Sequence, residues 1–142
     1  MVKARRAGGD HPQIRQSVEH LKQSPNPAVR RTAIDLLQVF GGDDALPTLT
    51  SMLHDADPHV QRDATRAIAR IGTEEAFAVL KRGLVGADPR AREVILQQVV
   101  GLRDEQATPL LCYILDKTDP RGPMLDTHVA LIDALGGLAD QD

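Results

Sequence analysis

Aromatic residues are almost missing from this sequence, which has no tryptophan, one tyrosine (Tyr113) and two phenylalanines (Phe40 and Phe77). A core built around large rings is thereby excluded. Packing must come from Leu, Ile, Val and Ala, whose compact side chains suit closely apposed helices. Cys112 is the only cysteine, so no internal disulfide can form and a reducing, cytoplasmic setting is expected. No apolar run approaches the roughly 20 residues needed to span a bilayer. Lys3, Arg5 and Arg6 are not followed by the apolar stretch of a secretion signal. Positive charge is not in excess either: 17 Lys and Arg stand against 20 Asp and Glu, a net charge of -3. This argues against a general electrostatic grip on nucleic acid or on an anionic membrane surface, and the lack of a spanning apolar run against membrane insertion.

What the chain does have is an ordinary apolar fraction of 42% and a charged fraction of 26% over 142 residues, enough for one folded domain with a continuous core. It also has a period. Asn26-Pro27, Asp57-Pro58, Asp88-Pro89 and Asp119-Pro120 succeed one another at steps of 31 residues, the kind of fixed interval that marks stacked supersecondary units. Each dipeptide reads as a helix start: Asn or Asp accepts hydrogen bonds from the free N–H groups, and Pro at the first helical position gives up none.

Helical stripes come after the first three caps. They run through Val29, Ala33, Leu36, Leu37 and Phe40, then Val60, Ala64, Ala67, Ile68 and Ile71, then Ala91, Ile95, Gln98, Val99 and Leu102, at the spacing of one helix face. Gly41-Gly42 and Gly72 read as stops. Second helices are expected near Asp43, Thr73 and Asp104. In them Ala45, Ala76 and Ala107 align, as do Leu49, Leu80 and Leu111, and Leu53, Leu84 and Leu115. A single helix pair cannot bury such stripes alone, so neighbouring pairs must stack and share a core.

The fold class expected is therefore all-α, a right-handed α-solenoid of stacked antiparallel helix pairs. Residues 1–11 are expected to be a flexible N-terminal tail and residues 12–142 a single repeat domain. It divides into a capping helix over 12–24, where Ile14, Val18 and Leu21 match second-helix positions, repeats over 26–56, 57–87 and 88–118, and a terminal helix over 119–137. Arg121-Gly122-Pro123 adds two residues before Met124, Leu131, Ile132 and Leu135 resume the stripe ahead of Gly136-Gly137. That last helix is either a cap or the edge of a longer array.

The cap followed by an apolar-basic helix start recurs as Asn26-Pro27-Ala28-Val29-Arg30-Arg31, Asp57-Pro58-His59-Val60-Gln61-Arg62 and Asp88-Pro89-Arg90-Ala91-Arg92. In this respect the chain resembles HEAT-like repeat proteins, in particular the short repeats also found in phycobilisome lyases, over residues 12–137. Gln61 departs from the basic residue at that step, which interrupts any inter-repeat charge ladder. The resemblance implies a scaffold or adaptor for another protein or peptide, with the second helices lining the concave face. It also admits a bilin lyase subunit or a nucleic-acid-binding module. Deoxyhypusine hydroxylases, which share the scaffold, need His-Glu pairs that this sequence lacks.

With the second-helix stripes taken as core, the open face is expected to carry Thr48, Val79 and Leu110, with Ser51, Arg82 and Tyr113 one turn further along. Tyr113 beside Leu110 and Val79 would make a mixed anchor, since tyrosine gives a large contact area at low entropic cost. Other polar residues read as structural. His54, Asp55, Asp57 and His59 flank a turn without zinc spacing, so no metal is expected. Cys112 has no neighbouring base that would activate a thiol. His128 on a stripe position implies a partly exposed terminal helix, and Gln98 is expected to hydrogen-bond a neighbouring loop. Gly83 stands at a core step and is expected to permit close helix contact, with a local bend as the other possibility. No catalytic constellation and no cofactor are expected.

Overall fold

The computed structural model describes residues 12–40 and 45–139. The predicted tail, the Gly41-Gly42 stop and the helix start at Asp43 lie outside the described residues. The helices are α1 (Pro12–Lys22), α2 (Pro27–Phe40), α3 (Ala45–Met52), α4 (Pro58–Ile71), α5 (Glu74–Val85), α6 (Pro89–Val100), α7 (Ala107–Lys117) and α8 (Leu125–Ala139). A short 3-10 turn over Gly122–Met124 precedes α8. No strand occurs among the described residues. The fold is all-α, of the α-solenoid class built from helix-pair repeats, as the period requires.

Local chemistry sets the helix starts. Asn26 accepts from the Ala28 N–H at 3.0 Å. Asp57 accepts from His59 and Val60 at 2.8 and 3.3 Å, and Asp88 from Arg90 and Ala91 at 3.1 and 3.3 Å. Thr73 caps α5 through the Ala76 N–H at 3.2 Å. Each side-chain oxygen satisfies a backbone donor that the helix cannot. Gly72 ends α4 with φ of 74°, a left-handed conformation that costs a glycine little.

The fourth cap behaves differently. Asp119 accepts from the Arg121 N–H at 2.9 Å and chelates its guanidinium, Gly122 turns the chain with φ of 67°, and the helix begins only at Leu125. The two extra residues that Arg121-Gly122-Pro123 brings are taken up in this turn.

Contacts fall into two compact units that divide between Ala67 and Ile68, inside α4. In the first, α1 packs on α2 and α2 on α3, and Val18, Ala33, Ile34, Leu37, Leu49, Val60 and Ala64 are buried. In the second, α5 packs on α6 and α7, α6 on α7 and α8, and α7 on α8. Its core contains Ala76, Leu80, Leu84, Ala91, Ile95, Val99, Leu111 and Leu131. The Ala45, Ala76 and Ala107 set and the Leu49, Leu80 and Leu111 set are buried in every copy, which is the expectation from the period.

Gly83 allows the close approach expected of it: a Cβ there would run into Ile95 Cδ1 on α6. The terminal helix, expected to end at residue 137, runs through Gly136 and Gly137 to Ala139. Neither has positive φ, and a Cβ on either would meet nothing within 4 Å. Glycine in a helix interior is about 1 kcal/mol worse than alanine. Gly136→Ala is therefore expected to stabilise the chain by about 0.5–1 kcal/mol, read as a raised midpoint in urea unfolding. A lowered midpoint would show that α8 does not persist through this pair.

Candidate interaction face

The predicted face residues fall in both units. In the first, Thr48 on α3 is half-buried and Ser51 is exposed, its hydroxyl donating to the Thr48 carbonyl at 2.6 Å. In the second, Arg82 on α5 is exposed and Tyr113 on α7 half-buried, but Val79 is 7% and Leu110 0% exposed. The expectation that Val79 and Leu110 lie on the open face is thus corrected. Helical geometry explains it: Val79 is three residues after Ala76 and Leu110 three after Ala107, so both fall inside a core stripe wider than the one drawn from the aligned leucines. The outward row lies one residue earlier, at Pro47, Ala78 and Pro109, which are exposed, half-buried and exposed.

Tyr113 is the best-defined feature of the second unit's face. Helices α5 and α7 pack together, placing the Tyr113 ring 6.0 Å from that of Phe77, tilted by 56°, within the range of favourable aromatic pairs. From the next turn Lys117 sets its ammonium 5.9 Å from the Tyr113 ring centroid, at cation–π distance. Neither neighbour is marked by the repeat pattern. Lys117 could have been found from its i, i+4 spacing to Tyr113, whereas Phe77 is brought in only by the packing of α5 on α7.

Two arginines of the repeat signature, Arg30 and Arg92, are half-buried and turned to structural duties. Arg30 grips Asp55 with Nε and Nη2, both at 2.8 Å, and donates Nη1 to the Ser24 carbonyl at 2.8 Å. Arg92 makes the equivalent bond six residues back, to the Gly86 carbonyl at 2.5 Å. Asp55 has Ser24, Gly86 and Lys117 as its period-related positions, so the carboxylate rung forms once. Burial pushes the Asp55 carboxyl up, but the hydrogen bonds from Arg30 and from the Asp57 N–H, with the Arg30 charge, outweigh it and hold the group below its ordinary value. Gln61, where the arginine is replaced, is 1% exposed and gives its amide to the Leu53 carbonyl at 3.0 Å. Arg31 bonds Asp63 at 2.7 Å, and Arg62 meets the His59 ring.

The remaining polar candidates are likewise placed. In the 54–59 turn Asp55 pairs with Arg30 and Asp57 caps α4, while His54 and His59 are exposed. No group of three or more His, Cys, Asp or Glu is placed to hold a metal among the described residues. Cys112 is exposed. His128 itself is buried, at 5% exposed, on a helix that is otherwise partly exposed as expected, with Nε2 2.6 Å from Thr118 Oγ1. The Thr118 hydroxyl proton goes to the Ile114 carbonyl at 2.7 Å, so the imidazole N–H is the donor to Oγ1. A polar residue is tolerated on this stripe because the threonine at the end of α7 receives it. The described cavities include two depressions beside α1, of about 570 and 430 Å³, both lined by His20 and Leu21.

With this geometry in hand, comparison with known families matches residues 14–100, from α1 through α6, to HEAT repeats. The chain belongs to the HEAT repeat family. No curated protein matches it. HEAT repeats generally mediate protein–protein interaction. The match includes all three signature helix starts, at Asn26, Asp57 and Asp88, and the HEAT pattern of stripes continues beyond it through α7 and α8. No helix among the described residues is long and apolar enough to cross a membrane.

Proposed function

We propose that this HEAT repeat chain is a non-catalytic, cytoplasmic scaffold or adaptor that holds another protein or peptide on the outward ridge of its second helices. The observation that carries the reading is Tyr113: a half-buried aromatic, backed by Phe77 and flanked by Lys117, on a helix packed against the one bearing the exposed Arg82. A ring fixed in this way offers apolar area and a polar tip with little entropy left to lose, the property that makes tyrosine frequent among binding hot spots. Val79 and Leu110 would support the Tyr113 ridge from below, and Thr48 with Ser51 would be a separate polar patch on α3 of the first unit.

The arginine pattern supports a protein partner over a phosphate backbone. Arg30 and Arg31 commit their charge to Asp55 and Asp63, which leaves those two poorly disposed to contact phosphates.

The test is capture of binding partners by the full chain and by Tyr113→Ala and Arg82→Glu variants, with partner identity read by cross-linking and mass spectrometry. Both variants are expected to lose at least about tenfold in recovery of a specific partner, a loss ordinary for removal of an interfacial hot spot. Undiminished capture by both would remove this ridge as the binding face.

A further inference from the structure

The seam between α5 and α7 carries an aromatic pair with a lysine one turn beyond each ring. Phe77 is followed at i+4 by Lys81, as Tyr113 is by Lys117, and a residue four positions on lies over the same face of its helix. The Phe77 and Tyr113 rings meet across the seam, so that face of α5 looks toward α7 and that face of α7 toward α5. Lys81 and Lys117 therefore stand on opposite sides of one seam. Lys81 is half-buried, and Arg82 beside it is exposed. Access to the seam does not depend on what adjoins α8. Tyr113 and Lys117 face α5, so a helix stacked on the far side of α7 would not come between them. Ala78 and Arg82 on α5, which already has α7 alongside, remain half-buried and exposed.

Charge identifies the occupant. The chain as a whole is acidic, with a net charge of -3, yet the last two turns of α5 and α7 carry Lys81, Arg82 and Lys117 against one carboxylate, Asp116. Asp116 is 4.0 Å from the Lys117 ammonium, with the two side chains 80% and 51% exposed, a separation and exposure at which an ion pair gains little. Among the described residues neither Lys81 nor Arg82 has an ion-pair partner. The three cations are thus available to a negatively charged ligand, and the Tyr113 ring between them to an apolar side chain. A nucleic-acid strand carries a phosphate at every nucleotide and would continue past Asp116 onto a chain of its own sign of charge. A short acidic segment needs only the local reversal.

Resting on the reading of Tyr113 as the partner contact, we infer that the α5–α7 seam binds an acidic segment of the partner protein. An apolar side chain of that segment lies on the Tyr113 ring, and its Asp or Glu side chains pair with Lys81, Arg82 and Lys117. Complementary charge of this kind selects among partners and speeds their arrival more than it adds affinity.

The experiment selects a phage-displayed library of random short peptides against the full chain and measures the enriched peptides, synthesised with a fluorophore, by anisotropy. Enrichment of Asp and Glu around a large apolar residue is expected. Lys81→Gln with Lys117→Gln should weaken binding at least about tenfold, the size of one lost charge-assisted contact. Lys81→Arg with Lys117→Arg should hold it within about threefold of the parent, since the seam supplies charge and not a bidentate fork. Raising salt from about 0.05 to 0.5 M should weaken it several-fold, because exposed charges are screened. Enriched peptides without acidic bias, acidic peptides that bind the double glutamine variant as well as the parent, or a library that yields no saturable binder overturn the proposal. So does a single-stranded oligodeoxynucleotide that binds more tightly than every enriched peptide, since the seam then serves phosphate. Non-acidic peptides whose binding is lost on Tyr113→Ala would reject the acidic partner and leave the ridge standing, whereas unchanged binding of every enriched peptide by Tyr113→Ala would reject both.

Discussion

Leu80→Asp is expected to abolish the cooperative unfolding transition of the second unit. Leu80 is 0% exposed in the middle of α5, and α5 packs on both α6 and α7. Truncating a buried leucine costs about 2–5 kcal/mol through lost transfer energy and the cavity left behind. Aspartate adds the cost of a carboxyl group with no partner in an aliphatic core, several kcal/mol more even if it protonates. Against a total stability of about 5–15 kcal/mol for a domain, that sum leaves little folded material. In a repeat architecture the loss also spreads, because each helix pair is stabilised chiefly by its neighbours. Leu80→Ala is the graded companion, expected to lower stability by about 3 kcal/mol while preserving a cooperative melt. Circular dichroism during heating reads both, and a Leu80→Asp melt indistinguishable from the parent would contradict the shared core.

How far the fold is legible in the sequence depends on what repeats. Ala76, Leu80 and Leu84 can be assigned to the core because residues one period away carry the same character, and the cap at Asp88 can be placed because Asp57 and Asn26 stand at the same phase. Phase gives the centre of a stripe but not its width, so it puts Val79 and Leu110 outside, while the packing of α5 on α7 takes them in. The same limit affects Ile132, which stands 58% exposed while its period-mates Leu37, Ile68 and Val99 are buried. Single-copy features are the least legible. Nothing periodic announces that Arg30 finds Asp55, that Phe77 backs Tyr113, or that Thr118 receives His128, since each pairing joins separate elements and occurs once. Gly136 and Gly137 stay within α8 with no positive φ, since glycine permits a helix stop without compelling one.

The single Arg30–Asp55 rung makes stability depend on pH in a direction that can be worked out. The two side chains are 14% and 11% exposed, so water screens the pair only partly. Asp55 binds its proton less readily in the folded chain than in the unfolded one. As pH falls, the unfolded state takes up this proton first. The contribution is thus complete above the ordinary carboxylate value, near 3.8, and disappears as pH drops below it through the lowered folded value.

Asp55→Asn keeps an oxygen that can serve the Asp57 N–H, but turns an amide donor toward the guanidinium and leaves the Arg30 charge unmatched. A loss of about 1.5 kcal/mol at pH 7 is expected, typical of a charge-assisted hydrogen bond at a partly buried site. Urea unfolding should show that difference unchanged between about pH 5 and 8, then shrinking as pH falls below the ordinary carboxylate range. Asp63→Asn is the matched comparison, since its partner Arg31 is 47% exposed, and it is expected to cost less at every pH. A difference between parent and Asp55→Asn that persists undiminished into acid would mean that shape at the Asp55 turn, and not its charge, is what Arg30 requires.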